Sequence, residues 1–245
     1  MAHPTIDIHT EDGICPVHLF RAPGPSPRPA TIMFMDAFGL RPALFDIAER
    51  VAEAGYHVLL PDLYYRTGYQ PPGFQMFDDP AARADFMTRI APTVGAQPIM
   101  SDLKAIFAYL DTQNAVKGAA VGVFGYCLGG RLALTAAGTF PERVVGAAAY
   151  HPGFVATDAP DSPHLLADRI KARLYIGRAQ EDMSFDDAAK ERLERALAAA
   201  EVWYELEDYD ARHGWVPADH PEHDDAATAR HWETLLPLLR ETLGS

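Results

Sequence analysis

The chain has 245 residues, of which 48% are hydrophobic, and a formal net charge of −13. This length and apolar content suit one α/β domain over residues 1–245, and the acidity argues against a nucleic-acid partner, because phosphate binding needs clustered Lys and Arg. Two cysteines, Cys15 and Cys127, exclude a disulfide framework and favour a reducing compartment. Neither a signal peptide nor a run of ~20 apolar residues is apparent, so we expect a cytoplasmic protein without a membrane span.

The predicted elements alternate between strands and helices along most of the chain. Two short strands flank the turn Glu-Asp-Gly at 11–13 and form an expected hairpin. By apolar periodicity and by Gly and Pro boundaries, strands are predicted at 5–10, 14–20, 30–35, 56–60, 119–124, 144–150, 173–177 and 202–206. Helices are predicted at about 42–54, 79–90, 98–111, 127–138, 185–200 and 222–243.

This alternation predicts an α/β fold with a mostly parallel central sheet and helices on both faces. Residues 62–97 hold several Pro, Gly and aromatic residues, and we expect them to form an excursion that shapes a pocket. Ligands of such sheets bind at the carboxyl ends of the strands. The residues that directly follow each predicted strand are therefore the candidates for a functional site.

Cys127 lies in a pattern typical of a catalytic nucleophile. Residues 125–130 are Gly-Tyr-Cys-Leu-Gly-Gly between a predicted strand and a predicted helix, which is the G-x-S-x-G nucleophile elbow with Cys in place of Ser. Gly125 and Gly129 supply the small residues that this strained turn needs. The helix N-terminus favours the thiolate, and the backbone N–H of Leu128 is a candidate oxyanion donor. The alternative, a cysteine in a nucleotide-binding loop, lacks the G-x-G-x-x-G and Walker motifs.

The candidate base is His213. In the chain order of α/β-hydrolases the nucleophile comes first, then the acid, and then a histidine after the last strand. His213 follows the strand predicted at 202–206 and fits this order. His220 and His223 are rivals, but they look more like the approach to the final helix.

The candidate acid is Asp182, which follows the strand predicted at 173–177. Glu181 is the second choice for this role. Asp186 and Asp187 stand at a predicted helix start, where carboxylates cap the helix for structural reasons. The acid would hold the imidazole in its useful tautomer and stabilise the imidazolium.

Three segments together resemble the dienelactone hydrolase family (carboxymethylenebutenolidases) of the α/β-hydrolase superfamily. They are residues 125–130, Asp-Met-Ser-Phe at 182–185 and Arg-His-Gly-Trp at 212–215, and the likeness covers nearly the whole chain. The resemblance implies a triad of Cys127, His213 and Asp182 that opens a lactone ring through a thioester.

The resemblance also implies roles for the residues after the strand predicted at 30–35. The family typically has a Glu there that interacts with the resting thiol. Here Asp36 stands at that position and is one methylene shorter, so we expect thiol activation to differ or Asp36 to have another role. The backbone N–H of Ala37 is expected to be the second oxyanion donor, beside that of Leu128.

The resemblance does not extend to a clear carboxylate site. Dienelactone carries a carboxylate that family members hold with arginines, one of them shortly after the catalytic His, but residues 214–220 contain no Arg. The resemblance therefore does not predict dienelactone itself as the substrate. Arg83, Arg89 and Arg178 are candidates for binding a carboxylate, and each also suits a solvated surface. Four aromatic residues are candidates for pocket walls or for the core: Phe38, Tyr64, Tyr65 and Trp215.

The predicted function is hydrolysis of a small-molecule lactone or ester through a thioester on Cys127, without a cofactor. The alternatives are a promiscuous carboxylesterase or thioesterase, and a non-catalytic binding relative of the fold. A thiol redox enzyme is disfavoured, because no C-x-x-C occurs. A metal site at 220–225 is also disfavoured, because its spacing fits no zinc signature. The sequence does not distinguish a monomer from a homodimer.

Overall fold

Eight strands form one sheet in this computed structural model, in the order β1-β2-β4-β3-β5-β6-β7-β8. The structure describes residues 3–25 and 27–244. The strands are β1 (Thr5–Thr10), β2 (Gly13–Phe20), β3 (Arg28–Phe34), β4 (His57–Pro61), β5 (Val116–Tyr126), β6 (Val144–Tyr150), β7 (Arg173–Glu181) and β8 (Tyr204–Arg212). β1 and β2 form the predicted antiparallel hairpin, β2 pairs antiparallel with β4, and all later pairings are parallel.

Helices cover both faces of the sheet. They are α1 (Pro42–Glu53), α2 (Pro80–Asp85), α3 (Ala96–Asp111), α4 (Leu128–Thr139), α5 (Asp187–Ala199) and α6 (Asp225–Leu243). α1 and α6 meet on one face, where the Arg50 guanidinium lies 4.1 Å from the centroid of the Trp232 ring. α3 and α4 pack together on the other face. The predicted fold, a mostly parallel sheet between two helical layers, is confirmed.

The strands in the middle of the sheet are buried on both faces. Every residue of β4 is buried, and β3 is buried from its second residue onward. Apolar runs of this kind are typical of parallel strands between two helical layers. The contact with α6 is so close at Gly122 of β5 that a side chain there would meet Leu239.

The bounds of the last strand differ from the sequence prediction. It was expected at 202–206, but β8 spans Tyr204–Arg212. The acidic residues of its second half are unusual in a strand, so the sequence pattern does not predict it. In the structure their charges are paired: Glu207 binds Arg230 at 3.1 Å, and Asp208 binds Arg178 at 3.1 Å. An edge strand with charged side chains resists pairing with another chain. As a consequence, His213 follows the end of β8 directly.

The excursion after β4 carries short helices that lie over the carboxyl ends of the strands. The helix predicted at 79–90 begins as α2, where the Asp79 side chain accepts a hydrogen bond from the Ala81 N–H. It then widens into a π-turn at Phe86–Ile90 and tightens into a 3-10 turn at Ala91–Val94. Pro92 explains this ending, because proline supplies no N–H to a continuing α-helix. Other 3-10 turns lie at Phe74–Phe77 and Pro163–Arg169.

Within residues 3–25 and 27–244, no helix combines the length and the hydropathy that crossing a membrane requires.

Candidate active site

Cys127 stands between β5 and α4, at the sharp turn that its sequence predicts. Its backbone has φ 53°, in the left-handed region that non-glycine residues rarely adopt. Its N–H donates to the carbonyl of Tyr150 on the neighbouring strand β6, at 3.1 Å. α4 begins directly after Cys127, so its first N–H groups, which have no partner within the helix, lie at the turn that carries the thiol. The strain is local and places the thiol at the carboxyl end of the sheet.

Two glycines make this turn possible because the backbone folds back on itself. A Cβ on Gly125 would overlap the backbone of Gly129, and a Cβ on Gly129 would overlap the carbonyl oxygens of Phe34 and Met35. These neighbours are main-chain atoms, which cannot move aside as a flexible side chain can. The elbow therefore requires glycine at both positions.

His213 and Asp182 form a hydrogen-bonded pair beside Cys127. The Nδ1 of His213 lies 2.6 Å from Oδ2 of Asp182. The Oδ1 of Asp182 accepts two further bonds, from the backbone N–H of Ser184 at 2.8 Å and from its hydroxyl at 2.6 Å. With Nδ1 engaged by Asp182, Nε2 is the ring nitrogen left to act on Cys127, which lines the same cavity as His213.

The electrostatics of this pair favour a charged imidazole. Burial alone would lower the pKa of His213, but the negative charge of a Cys127 thiolate and the hydrogen bonds to Asp182 and Cys127 outweigh it and raise that pKa well above 6.5. Burial of Asp182 would raise its pKa, but the hydrogen bonds from His213 and Ser184 outweigh burial and lower it. The arrangement therefore favours an imidazolium at His213 beside an ionised carboxylate at Asp182.

The rival histidines have other contacts. The His220 ring lies flat on Gly214, where any side chain would overlap it, and its Nδ1 accepts from the Glu222 N–H at 3.1 Å. Burial outweighs the opposing charge of Asp36 and lowers the pKa of His220. His223 bonds through Nδ1 to the carbonyl of Trp215 at 3.0 Å. Only His213 among the three bonds to a carboxylate beside Cys127 in the part of the chain that the structure describes.

The rival acid and the second cysteine are also placed elsewhere. The Glu181 side chain is 79% exposed and lies 3.6 Å from Arg212, whereas Asp182 is 5% exposed. Cys15 is buried on β2, and burial raises the pKa of its thiol to about 12. A thiol of that pKa is inert at neutral pH, so Cys127 is the reactive candidate.

The hydrogen bonds of Asp36 go to other groups than the thiol, in line with the expectation that this shorter side chain has another role. Its carboxylate forms a bidentate pair with Arg41, at 2.7 Å and 2.8 Å, and also accepts from the Phe38 N–H at 2.9 Å. No hydrogen bond joins Asp36 to Cys127 among the described residues. The physical reason is that a carboxylate that is 2% exposed needs a cation, and Arg41 is five residues away on the same turn.

The expected oxyanion donors border the thiol. Ala37 and Leu128 both line the cavity that contains Cys127 and His213. The Ala37 carbonyl accepts a hydrogen bond from the Tyr64 hydroxyl at 2.7 Å, which fixes the peptide on this side of the site. The two backbone N–H groups therefore come from separate segments, the turn after β3 and the first turn of α4.

Three of the four aromatic candidates lie outside the cavity walls, so that expectation is corrected. Phe38 lines the cavity as predicted. Tyr64 is buried and bonded to Ala37, and Tyr65 bonds to Asp102 at 2.9 Å. Trp215 is fully buried and stacks on Tyr209, with ring centroids 4.6 Å apart. Tyr64 and Trp215 therefore belong to the core, and Tyr65 is bound to α3, so other residues form most of the cavity wall.

Of the arginine candidates, Arg83 alone lines the cavity. Arg89 is exposed and pairs with Asp85 at 2.7 Å. Arg178 is buried and binds the carbonyl of Phe185 and the carboxylate of Asp187. A second cavity arginine, Arg131, was not predicted; it lies one turn along α4 from Cys127 and binds Asp161 at 3.2 Å.

Two further residues near the triad escaped the sequence prediction. Ser184 forms the Asx turn with Asp182, and the spacing D-x-S was a signal that could have revealed it. His151 directly follows β6, and inspecting that strand end would have found it. Its ring is buried, with its centroid 5.1 Å from that of His213, and burial lowers its pKa well below 6.5. It therefore stays neutral behind His213.

No cluster of three or more His, Cys, Asp or Glu side chains arranged to hold a metal ion occurs among the described residues, including the segment 220–225.

Comparisons with known proteins show the family and the fold to which this chain is similar. The sequence profile of the dienelactone hydrolase family matches residues 16–243. A carboxymethylenebutenolidase of Rhodococcus opacus is 28% identical over 260 residues, which cover 100% of this chain and 94% of that protein. A crystal structure from Klebsiella pneumoniae, assigned to the dienelactone hydrolases, gives a TM-score of 0.85 at 20% identity over 98% of both chains. A dienelactone hydrolase-like promiscuous phosphotriesterase from metagenomic libraries gives 0.77 at 21% over 100% of both chains. The two structures show the same fold.

Proposed function

The chain belongs to the dienelactone hydrolase family, and we propose that it hydrolyses a small-molecule ester or lactone through a thioester on Cys127. The observation that carries this proposal is a line of three residues in one cavity, in which Asp182 binds His213 at 2.6 Å and His213 lies beside the elbow that carries the Cys127 thiol. A non-catalytic relative of the fold would have no need for this line. The arrangement of nucleophile, base and orienting acid is that of nucleophilic catalysis.

In this proposal, acylation begins with a thiolate at Cys127 and an imidazolium at His213. Sγ of Cys127 attacks the carbonyl carbon, a C–S bond forms, and the carbonyl oxygen becomes an oxyanion that accepts hydrogen bonds from the Ala37 and Leu128 N–H groups. As the intermediate collapses, the bond to the alcohol oxygen breaks and His213 Nε2–H gives that oxygen its proton. With a lactone, the freed alcohol stays attached to the acyl chain.

Deacylation uses the same histidine as a base. In the thioester, Cys127 no longer carries the negative charge that contributes to the raised pKa of His213. The imidazole, having lost its proton, can then accept one from water, and the resulting hydroxide attacks the thioester carbonyl. The C–S bond breaks, the acid leaves, and the thiolate and imidazolium are restored. The charge on Cys127 thus sets the protonation state of His213 at each stage.

The experiment compares hydrolysis of p-nitrophenyl acetate by wild type, Cys127→Ala and Cys15→Ala. We expect Cys127→Ala to lose activity by at least about a thousandfold, the usual scale for removal of a nucleophile. Cys15→Ala should retain activity, because Cys15 is buried on β2 away from the cavity. Full activity in Cys127→Ala would contradict the proposal.

A further inference from the structure

We infer that the substrate carries a large apolar group, an alkyl chain of about eight carbons or an aromatic system of similar volume, next to the scissile carbonyl; this rests on the proposed function. The cavity over Cys127 has a volume of about 480 Å³. That volume lies within the range of sites that hold drug-sized ligands, about 300–1,000 Å³. Large apolar side chains line it, among them Phe38, Phe86, Met87, Val94, Leu132 and Phe154.

The apolar wall extends away from the thiol between two elements. Leu132 of α4 lies just over one helical turn beyond Cys127, and Thr135 continues the lining toward the C-terminal part of that helix. Phe86 and Val94 face the cavity from the excursion and are otherwise buried. When the carbonyl of a substrate is attached to Cys127, the rest of the substrate therefore lies in the apolar part of the cavity along α4, which we call the chamber.

Apolar side chains also form the mouth of this chamber. Met87 is 57% exposed and Phe154 is 58% exposed, although both line the cavity. Phe154 is held there with φ 57°, and its N–H donates to the carbonyl of Ser184 at 2.8 Å. An exposed aromatic ring in a strained conformation at a cavity mouth indicates a function, because neither exposure nor strain stabilises the fold.

The cavity contains charged side chains, but its wall is mostly apolar. Arg131 is already paired with Asp161 at 3.2 Å, and Arg83 is exposed on α2, where water solvates it. A small anionic lactone could contact these arginines, but it would leave most of the chamber wall in contact with water. A substrate with a large apolar group would cover that wall and remove it from water. The resulting gain in binding free energy is larger than the gain from contacts with the two arginines.

The test measures kcat/KM along two series of esters. One series lengthens the acyl chain of p-nitrophenyl esters from two to ten carbons; the other lengthens the alkyl chain of acetate esters over the same range. We expect kcat/KM to rise about twofold or more per methylene in one series, since one buried methylene is worth up to about fourfold. The series that rises identifies the side of the carbonyl that occupies the chamber.

Variants of Met87, at the mouth of the chamber, test whether the chamber wall causes this dependence on chain length. Met87→Asp should reduce the ratio of kcat/KM for the eight-carbon ester to that for the two-carbon ester by about tenfold or more, and Met87→Leu should keep it within about twofold of wild type. Trp203→Asp is the matched control, because Trp203 is 69% exposed, lies outside the cavity and stacks on Arg173. That variant should keep the wild-type ratio.

Two failures are distinguishable. If the enzyme hydrolyses two-carbon esters through Cys127 but kcat/KM stays flat or falls in both series, the apolar-substrate inference is overturned and the proposed function stands. If Cys127→Ala hydrolyses every ester as well as wild type does, the proposed function fails and the inference fails with it. A ratio that Met87→Asp leaves unchanged would also overturn the chamber assignment.

Discussion

Arg41 and Asp36 form a bidentate ion pair directly beneath the turn that carries Ala37, with N–O distances of 2.7 Å and 2.8 Å. The Nε of the same guanidinium binds Asp219 at 2.9 Å, six residues after His213. Arg41 also lies over the Phe74 ring, 5.3 Å from its centroid. One arginine therefore connects the turn that carries Ala37 to the segment that follows His213.

Loss of this arginine should destabilise the fold. Arg41→Met leaves the buried Asp36 carboxylate without its cation, and we expect a loss of about 3 kcal/mol in the free energy of unfolding, typical of a broken buried pair. Urea denaturation measures it. The control is Arg143→Met, whose partner Asp111 is half exposed and whose loss should cost less than about 1 kcal/mol. Equal losses in the two variants would contradict the role given to Arg41.

The charge on Cys127 should be visible in the titration of His213. In wild type that charge helps to raise the pKa of His213 above 6.5, so the imidazolium persists to higher pH and is lost as the pH rises through the raised value. In Cys127→Ala the ring should lose its proton at lower pH, because one cause of the rise is gone. NMR of the imidazole resonances measures the shift. Cys15→Ala should titrate like wild type, and an unchanged pKa in Cys127→Ala would refute the coupling.

Ser184 should act by positioning Asp182. Ser184→Ala removes the 2.6 Å hydroxyl bond to Asp182 and keeps the backbone bond, so we expect kcat to fall about tenfold, or ~1.4 kcal/mol, with KM little changed. Steady-state kinetics on a good ester substrate measures both constants. Ser101→Ala removes a hydroxyl bond to Glu11, and neither residue lines the cavity; this variant is the control and should keep the wild-type kcat. A rise in KM alone would point to substrate contact instead of positioning.

The elbow glycine should be intolerant of any side chain. In Gly129→Ala the new methyl group would overlap the carbonyl oxygens of Phe34 and Met35, and we expect a loss of more than about 3 kcal/mol in stability. Thermal or urea unfolding measures it. Gly95→Ala is the comparison, because a Cβ there meets its nearest atom, the Pro92 carbonyl oxygen, at 3.5 Å. That variant should lose less than about 1 kcal/mol, and similar losses in both would contradict the steric account.

The strand-end positions of the three candidate residues could be predicted because chain order and strand ends are properties of the sequence itself. Cys127, Asp182 and His213 each come directly after a parallel strand, and the carboxyl ends of such strands meet at one edge of the sheet. The spacing of glycines around Cys127 added a steric requirement that few other turns have. These features depend on neighbours in sequence, so they are visible before any folding is known.

The surroundings of the triad depend on contacts between distant segments. Arg41 and Asp219 are 178 residues apart, and nothing in the local sequence of either indicates the pairing. Residue type alone could not separate Phe38, which lines the cavity, from Tyr64 and Trp215, which are buried beside it. An aromatic side chain suits a core and a pocket wall equally well, and only its neighbours decide between them.

Direct observation of the acyl-enzyme tests the central claim. The protein is mixed with excess p-nitrophenyl ester, quenched in acid within the first turnovers, digested and analysed by mass spectrometry. The account predicts the acyl group on the peptide that contains Cys127, released by hydroxylamine as a thioester is, and no such adduct in Cys127→Ala. Rapid hydrolysis by wild type with the Cys127 peptide unmodified, or with the acyl group on another residue, would contradict it.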